Sequence, residues 1–311
     1  MRRTAMASAT VANLGPGFDV LGLCLEGPQD RVTAELTTTG EVELVEVTGD
    51  DGRLSRIAAE NCAGVAARHV LTEFGDVEMG VRLWLHKGLP LGSGLGSSAA
   101  SAVAAAVAVG ALIDPRLPKD FLFQACREGE RLATGSPHPD NVAPALFGGV
   151  VACLAGDGEH VDLVTLPVPS ELVVACVKPD FEVRTADARA ALPKDVPMGD
   201  AVRNMGAVIG LTKALMTNDL RLLARCLDDR LATPYRKKLI PGYDEVVAAA
   251  VEAGALGAGI SGSGPALFAL CPDRETAMAV ADAMVEAFAA LGTGAHGIVS
   301  AVDPIGAHIV A

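Results

Sequence analysis

Apolar and polar side chains alternate along Arg31-Val32-Thr33-Ala34-Glu35-Leu36, Val42-Glu43-Leu44-Val45 and Val81-Arg82-Leu83-Trp84-Leu85, the period of strands with one buried face. Residues 61–74 carry helical spacing and stop at Gly75. An Ala-rich apolar helix starts at Ser97 or Ser98 and runs to about residue 113. A third begins after Pro118, which suits a first helical position, and closes near Thr134-Gly135. Gly148-Gly149 leads into a strand over 150–154. Leu166-Pro167-Val168-Pro169 is the preferred boundary, giving expected domains over 1–167 and 168–311, with the final strand free to pack back on the first. Beyond it come a buried strand over 172–177 and helices over 185–192, 201–216 and 220–231. The chain then reads helix 244–253, Gly-rich loop, strand 266–270, helix 274–290 and strand 298–302. The early strands read as hairpin-like neighbours, so the expected class is a two-domain α+β protein rather than a doubly wound sheet.

Length and charge narrow the function. A chain of 311 residues, half of them hydrophobic, can bury a large core at the size where cores divide in two. Against 25 Lys+Arg stand 38 Asp+Glu, a formal charge of −13, and the densest basic run is Arg236-Lys237-Lys238. Nucleic acid is excluded as a partner on that balance, and an anionic ligand must be held by local groups instead. Seven scattered cysteines without a Cys-x-x-Cys pair fit reduced thiols in the cytoplasm better than disulfides or zinc. The longest nearly apolar run, 99–113, falls short of the roughly 20 residues a bilayer needs, so no membrane role is expected.

The strongest chemical signal is Pro90-Leu91-Gly92-Ser93-Gly94-Leu95-Gly96-Ser97-Ser98-Ala99-Ala100. Alternating glycines let a backbone approach an anion and aim N–H groups at it. Ser97 and Ser98 stand where helix N-caps stand, at the positive end of a helix dipole. No lysine precedes Ser97, as a Walker A loop requires, and the sixth position from Gly92 is serine, which breaks the dinucleotide fingerprint. A tight strand-to-helix turn without a ligand is the alternative. Thr185 and Arg189, four residues apart, share a helix face with Thr185 suited to the N-cap. Asp19, beyond the Gly15-Pro16-Gly17 turn that also brings in Asn13, can accept an ammonium or merely cap that turn.

The segment 90–100 resembles the phosphate-binding motif of the GHMP kinase superfamily. Ala9-Thr10-Val11-Ala12-Asn13-Leu14-Gly15-Pro16-Gly17-Phe18-Asp19-Val20-Leu21-Gly22 resembles the N-terminal motif of its homoserine kinase branch. Gly257-Ala258-Gly259-Ile260-Ser261-Gly262-Ser263-Gly264-Pro265-Ala266 is similar to the third superfamily motif. His138-Pro139-Asp140-Asn141-Val142-Ala143-Pro144 and Leu239-Ile240-Pro241-Gly242 also resemble that branch. The resemblance implies an N-terminal domain of the ribosomal protein S5 domain 2 type, a ferredoxin-like C-terminal domain, and a homodimer. It implies transfer of phosphate from ATP to the hydroxyl of L-homoserine, a step towards threonine. ATP contacts fall on Asn61, on Pro90 through Ala100, and on Gly262, Ser263 and Gly264; Mg²⁺ falls on Ser98 and Glu130. Substrate contacts fall on Asn13, Asp19, His138, Arg189 and Arg236, and catalytic roles on Asn13, Thr185 and Arg189. It leaves the general base open: some superfamily members use an Asp near the position of Asp140-Asn141, whereas the homoserine branch is held to rely on transition-state stabilisation, in which case Asp140 is dispensable. The competing readings are a GHMP kinase for a mevalonate-type or sugar alcohol, which needs no partner for an ammonium, and a non-catalytic binding protein, which needs neither Ser98 nor Glu130.

Overall fold

The computed structural model describes residues 1–135, 138–156 and 160–310. Strands β1 (Arg2–Ala12), β2 (Leu21–Thr37) and β3 (Val42–Thr48) lead to helix α1 (Cys62–Phe74) and β4 (Gly80–His86). Helices α2 (Ser97–Ile113), α3 (Lys119–Thr134) and α4 (Pro139–Phe147) precede β5 (Val150–Ala155) and β6 (Val161–Leu166). After β7 (Val173–Pro179) come α5 (Thr185–Ala190), α6 (Met198–Thr217), α7 (Leu220–Arg225), α8 (Thr233–Arg236) and α9 (Tyr243–Glu252). The chain closes with β8 (Gly257–Ile260), β9 (Leu267–Cys271), α10 (Arg274–Ala290), β10 (Ala295–Ala301) and β11 (His308–Val310).

Two sheets result. In the first, the order is β11-β1-β2-β4-β3, with β5 joined to the start of β2 and β6 to β5. The second runs β10-β7-β9-β8, all antiparallel, with α9 and α10 packed on it. The expected hairpin-like pairing of segments 31–36 and 42–45 does not form. Instead β4 lies between β2 and β3, antiparallel to one and parallel to the other. Alternation reveals which face of a strand is buried, whereas the α1 crossover decides which strand arrives beside it.

Helix α2 is buried from Ala99 to Gly110 and packs on α1, α3, β1 and β2. Its alanines allow neighbours to close in on every side, which explains an apolar helix without an exposed face. The helix expected over 220–231 ends at Arg225. Asp229 accepts from the backbone N–H groups of Leu231, Ala232 and Thr233, a local turn that competes with helix. Segment 257–260, expected as loop, pairs with β9. Among the described residues no helix is long and apolar enough to cross a membrane.

Candidate active site

A cleft of about 370 Å³ lies where the loops of the two sheets meet. Its floor is the 92–96 turn, where Gly92, Gly94 and Gly96 adopt φ of +59°, +82° and +70°. Gly96 itself caps α2. Ser97 and Ser98, expected as caps, are the first helical residues, because a left-handed residue must precede the helix here and glycine adopts that conformation without a Cβ clash. Their hydroxyls are thereby left for other work. Ser97 Oγ is buried without a hydrogen-bond partner, and Ser98 hydrogen-bonds the carboxyl of Glu130 on α3, whose pKa burial pushes up to about 8.

The two Gly-rich segments interlock. Ser261 Oγ donates to Gly94 O at 2.8 Å, and the N–H of Ala266 donates to Ser93 O at 3.0 Å. Asn13 Nδ2 donates to Gly262 O at 2.9 Å while its Oδ1 accepts from the N–H of Asp19 at 3.1 Å. Beneath the turn, Thr10 Oγ1 donates to Asn141 Oδ1 at 2.8 Å. A lysine does serve this loop, though from outside it. Lys87, just past β4, donates to Ser97 O and Ser101 Oγ, both at 2.8 Å, and pairs with Asp30.

At the other end of the cleft, Arg189 on α5 grips Asp19 through two bonds of 2.7 and 3.0 Å. Its Nη2 also stands 3.3 Å from His138 Nε2; burial first, then the nearby Arg189 charge, lowers the His138 pKa. Arg236 on α8 is only 4% exposed, donating to Gly262 O at 2.8 Å and Ala188 O at 3.3 Å. Both guanidinium groups stack on the Phe18 ring, at 5.2 and 5.0 Å. Thr185 Oγ1 lies 3.4 Å from Ser263 Oγ; it is the first residue of α5, with Arg184 rather than Thr185 at the cap position.

Most of the sequence-predicted residues converge here: Asn13, Asp19, Asn61, Gly92, Ser93, Gly94, Gly96, Ser97, Ser98, Glu130, His138, Thr185, Arg189, Arg236, Gly262 and Ser263 line the cleft, with Leu91. Pro90, Leu95, Ala99, Ala100 and Gly264 stand outside the lining, and Leu95, Ala99 and Ala100 are fully buried behind it. Asn61 has both ends of its amide engaged, Oδ1 capping α1 at Ala63 and Nδ2 donating to Ser55 O.

Comparison with known proteins identifies the family. Residues 61–149 fit the model of the GHMP kinases N-terminal domain and residues 211–290 that of the GHMP kinases C-terminal domain. A homoserine kinase of Arabidopsis thaliana is 44% identical across 98% of this chain and 83% of its own. A crystal structure of homoserine kinase from Cytophaga hutchinsonii superposes with a TM-score of 0.95 at 42% identity, covering 99% of this chain and 97% of that one. The chain belongs to the homoserine kinase family of GHMP kinases. Membership implies ATP as the phosphoryl donor. An L. major mevalonate kinase, 18% identical with a TM-score of 0.70 over 92% of this chain and 90% of its own, shares the fold.

Sequence reasoning missed several residues in or beside this cleft. Phe18, Lys87 and Asp30 carry contacts described above. Arg53 and Glu182 form a bidentate pair of 2.7 and 2.9 Å across one side of the cleft. Lys87 and Asp30 left a usable signal, since Lys87 continues the buried phase of Val81, Leu83 and Leu85, and Asp30 that of Val32 and Ala34.

Asp140 opens α4 in the cleft wall, with Oδ1 buried and unpartnered. Burial, then the charge of Asp19, pushes its pKa up to about 7. An unfolded aspartate titrates near ~3.9, so between these values the folded chain holds a proton that the unfolded chain releases. Stability from this group is fully present below about pH 4 and is lost as pH rises through about 7, by a total on the order of 4 kcal/mol. Asp140→Asn removes that dependence. Urea unfolding from pH 4.5 to 8 should show a flatter decline for the variant, and identical slopes would sink the assignment.

Proposed function

We infer that this chain transfers the γ-phosphoryl group of ATP to the side-chain hydroxyl of L-homoserine, giving ADP and O-phospho-L-homoserine. One observation carries the reading: a single cleft holds a Gly-rich helix N-terminus at one end and, at the other, a carboxylate beside two guanidinium groups. The first arrangement suits phosphates. The second suits the head of an α-amino acid, whereas a sugar or mevalonate offers no ammonium for Asp19.

In this reading the N–H groups of the 92–98 turn and the Ser97 hydroxyl hold the β- and γ-phosphates. Ser98 and Glu130 offer a hydroxyl and a carboxyl to a hard cation, a donor set that suits Mg²⁺ with water and phosphate oxygens completing it. No cluster of three His, Cys, Asp or Glu side chains competes for a metal among the described residues. Bound Mg²⁺ supplies neutralisation of phosphate charge. Arg189 and Arg236 fork onto the substrate carboxylate, Asp19 accepts its ammonium, and Asn13, Thr185 and His138 border the path of the hydroxyl. Phosphoryl transfer asks mainly for this positioning. The free state of all seven cysteines supports a reducing cytoplasm as the compartment.

A coupled ADP-release assay with Mg·ATP against L-homoserine, L-serine, L-threonine, mevalonate and galactose tests the reading. Turnover confined to L-homoserine is expected; turnover with mevalonate or galactose instead would overturn it. Arg236→Lys should raise the KM for L-homoserine about a hundredfold while that for ATP stays within about twofold, because an ammonium cannot keep two carbonyl contacts and a carboxylate fork together.

A further inference from the structure

A carboxylate of the chain itself stands against the 92–96 turn. Arg53 grips Glu182 through bonds of 2.7 and 2.9 Å, and both residues line the cleft beside Gly92. A Cβ added at Gly92 would lie 2.8 Å from Glu182 Oε2, so this carboxylate fills the space that the glycine leaves open at the start of the turn. We propose that Glu182 is a built-in competitor of the nucleotide phosphates, and that a bound nucleotide displaces it from Arg53 and takes that guanidinium as its own ligand. This role rests on the reading of the 92–98 turn as a phosphate cradle, and gives that cradle a cation and an internal anion which lie outside it in sequence.

The two side chains can part while their backbones stay fixed. They are 50% and 41% exposed. Arg53 lies in the turn after β3, where its N–H donates to Asp50 O at 3.1 Å and the N–H of Leu54 donates to the buried Asp50 carboxylate at 2.9 Å. Glu182 stands between Phe181, packed on the core of the second sheet, and the buried Val183. Exchange therefore needs only rotation about side-chain bonds. The planar fork that binds two carboxylate oxygens binds two phosphate oxygens in the same way. A phosphate carries more charge than a carboxylate and also gains from the N-terminus of α2. Glu182 then turns towards Lys178, whose charge, after the larger effect of the Arg53 hydrogen bond, helps to hold the Glu182 carboxyl below its usual range. In a chain of net charge −13, a carboxylate on the cradle lowers affinity for any anion unless a cation covers it. Arg53 covers it until the nucleotide arrives.

Equilibrium binding of ADP, measured by titration calorimetry with no acceptor present, separates this role from that of a simple clasp between the two sides of the cleft. Arg53→Met should weaken ADP about tenfold, the loss of one charge-assisted contact at a half-exposed site. Glu182→Gln should tighten ADP about three- to tenfold, because a like charge leaves the cradle and Arg53 is released to the phosphates. Both effects should shrink as ionic strength rises, since the groups are open to solvent. A clasp predicts the opposite sign for Glu182→Gln, because either substitution then loosens the same joint.

Thermal melting shows that each variant is folded; if Glu182→Gln melts early, Glu182→Ala, which also removes the charge, replaces it. Weaker or unchanged ADP binding in the Glu182 variant overturns the competitor role, and so does Arg53→Met binding ADP as tightly as the unaltered chain. Failure of the unaltered chain to bind ADP overturns the phosphate cradle itself, a result read before the variants are compared.

Discussion

Replacing Asp30 with alanine is expected to destabilise the protein by about 3–5 kcal/mol, because it strands a buried ammonium. Asp30 is fully buried and Lys87 nearly so. The carboxylate accepts from Lys87, from the N–H groups of Gly88 and Leu89 at 3.0 and 3.1 Å, and from Ser101 Oγ at 2.7 Å. Without it, Lys87 keeps only Ser97 O and Ser101 Oγ. Lys87→Met is the milder change, at about 1–2 kcal/mol, since the carboxylate retains three neutral donors. Urea titration gives both values, and a double variant costing less than the sum shows the coupling. A loss under about 1 kcal/mol for Asp30→Ala would mean that the pair is solvated rather than buried. The effect reaches the site as well, because Ser97 O belongs to the first turn of α2, below the proposed phosphate cradle.

This pair also marks how far the sequence could be read. Alternation made the strands of β2, β3 and β4 legible, and the same phase carries Asp30 with Val32 and Ala34, and Lys87 with Leu85 and Leu83, onto the buried face. Extending the Val32↔Leu85 register sets the two charges opposite each other. What alternation lacked was the neighbour: nothing local says that β4 rather than β3 flanks β2. Strand β1 went unread for the opposite reason, since its residues from Ala7 to Ala12 are buried on both faces and show no period. In the cleft, the residues held by recognisable motifs were legible, including Arg189 and Arg236 from separate helices. Phe18 was not: one aromatic beside Asp19 acquires meaning only when two distant guanidinium groups are folded onto it. The Ser97 and Ser98 caps were misplaced because serine preference was weighed without the positive φ that Gly96 supplies.

Gly94→Ala is expected to lower kcat/KM about 10²–10³-fold, the scale of a misplaced reacting group or a lost transition-state donor. A Cβ at this position would lie 2.5 Å from Ser261 O and 2.7 Å from Gly264 O. Both are backbone atoms and cannot swing aside. Its φ of +82° adds about 1–2 kcal/mol of strain for any L side chain. Relief requires the 92–96 turn to move away from the 261–264 turn, breaking the Ser261–Gly94 bond. Gly262 O, which holds both Asn13 and Arg236, moves with it, so the phosphate end and the acceptor end lose their alignment together. KM for ATP and for L-homoserine should therefore both rise, unlike the one-sided effect of Arg236→Lys. Gly199→Ala is the matched control: in α6, with nothing within 4 Å of the added carbon, it should leave kinetics unchanged and stabilise the helix by a few tenths of a kcal/mol to about 1 kcal/mol. If Gly94→Ala kept kcat/KM within about threefold of the unaltered enzyme, far short of the cost of a ~1 Å displacement, the two turns would not be the joint that aligns donor and acceptor.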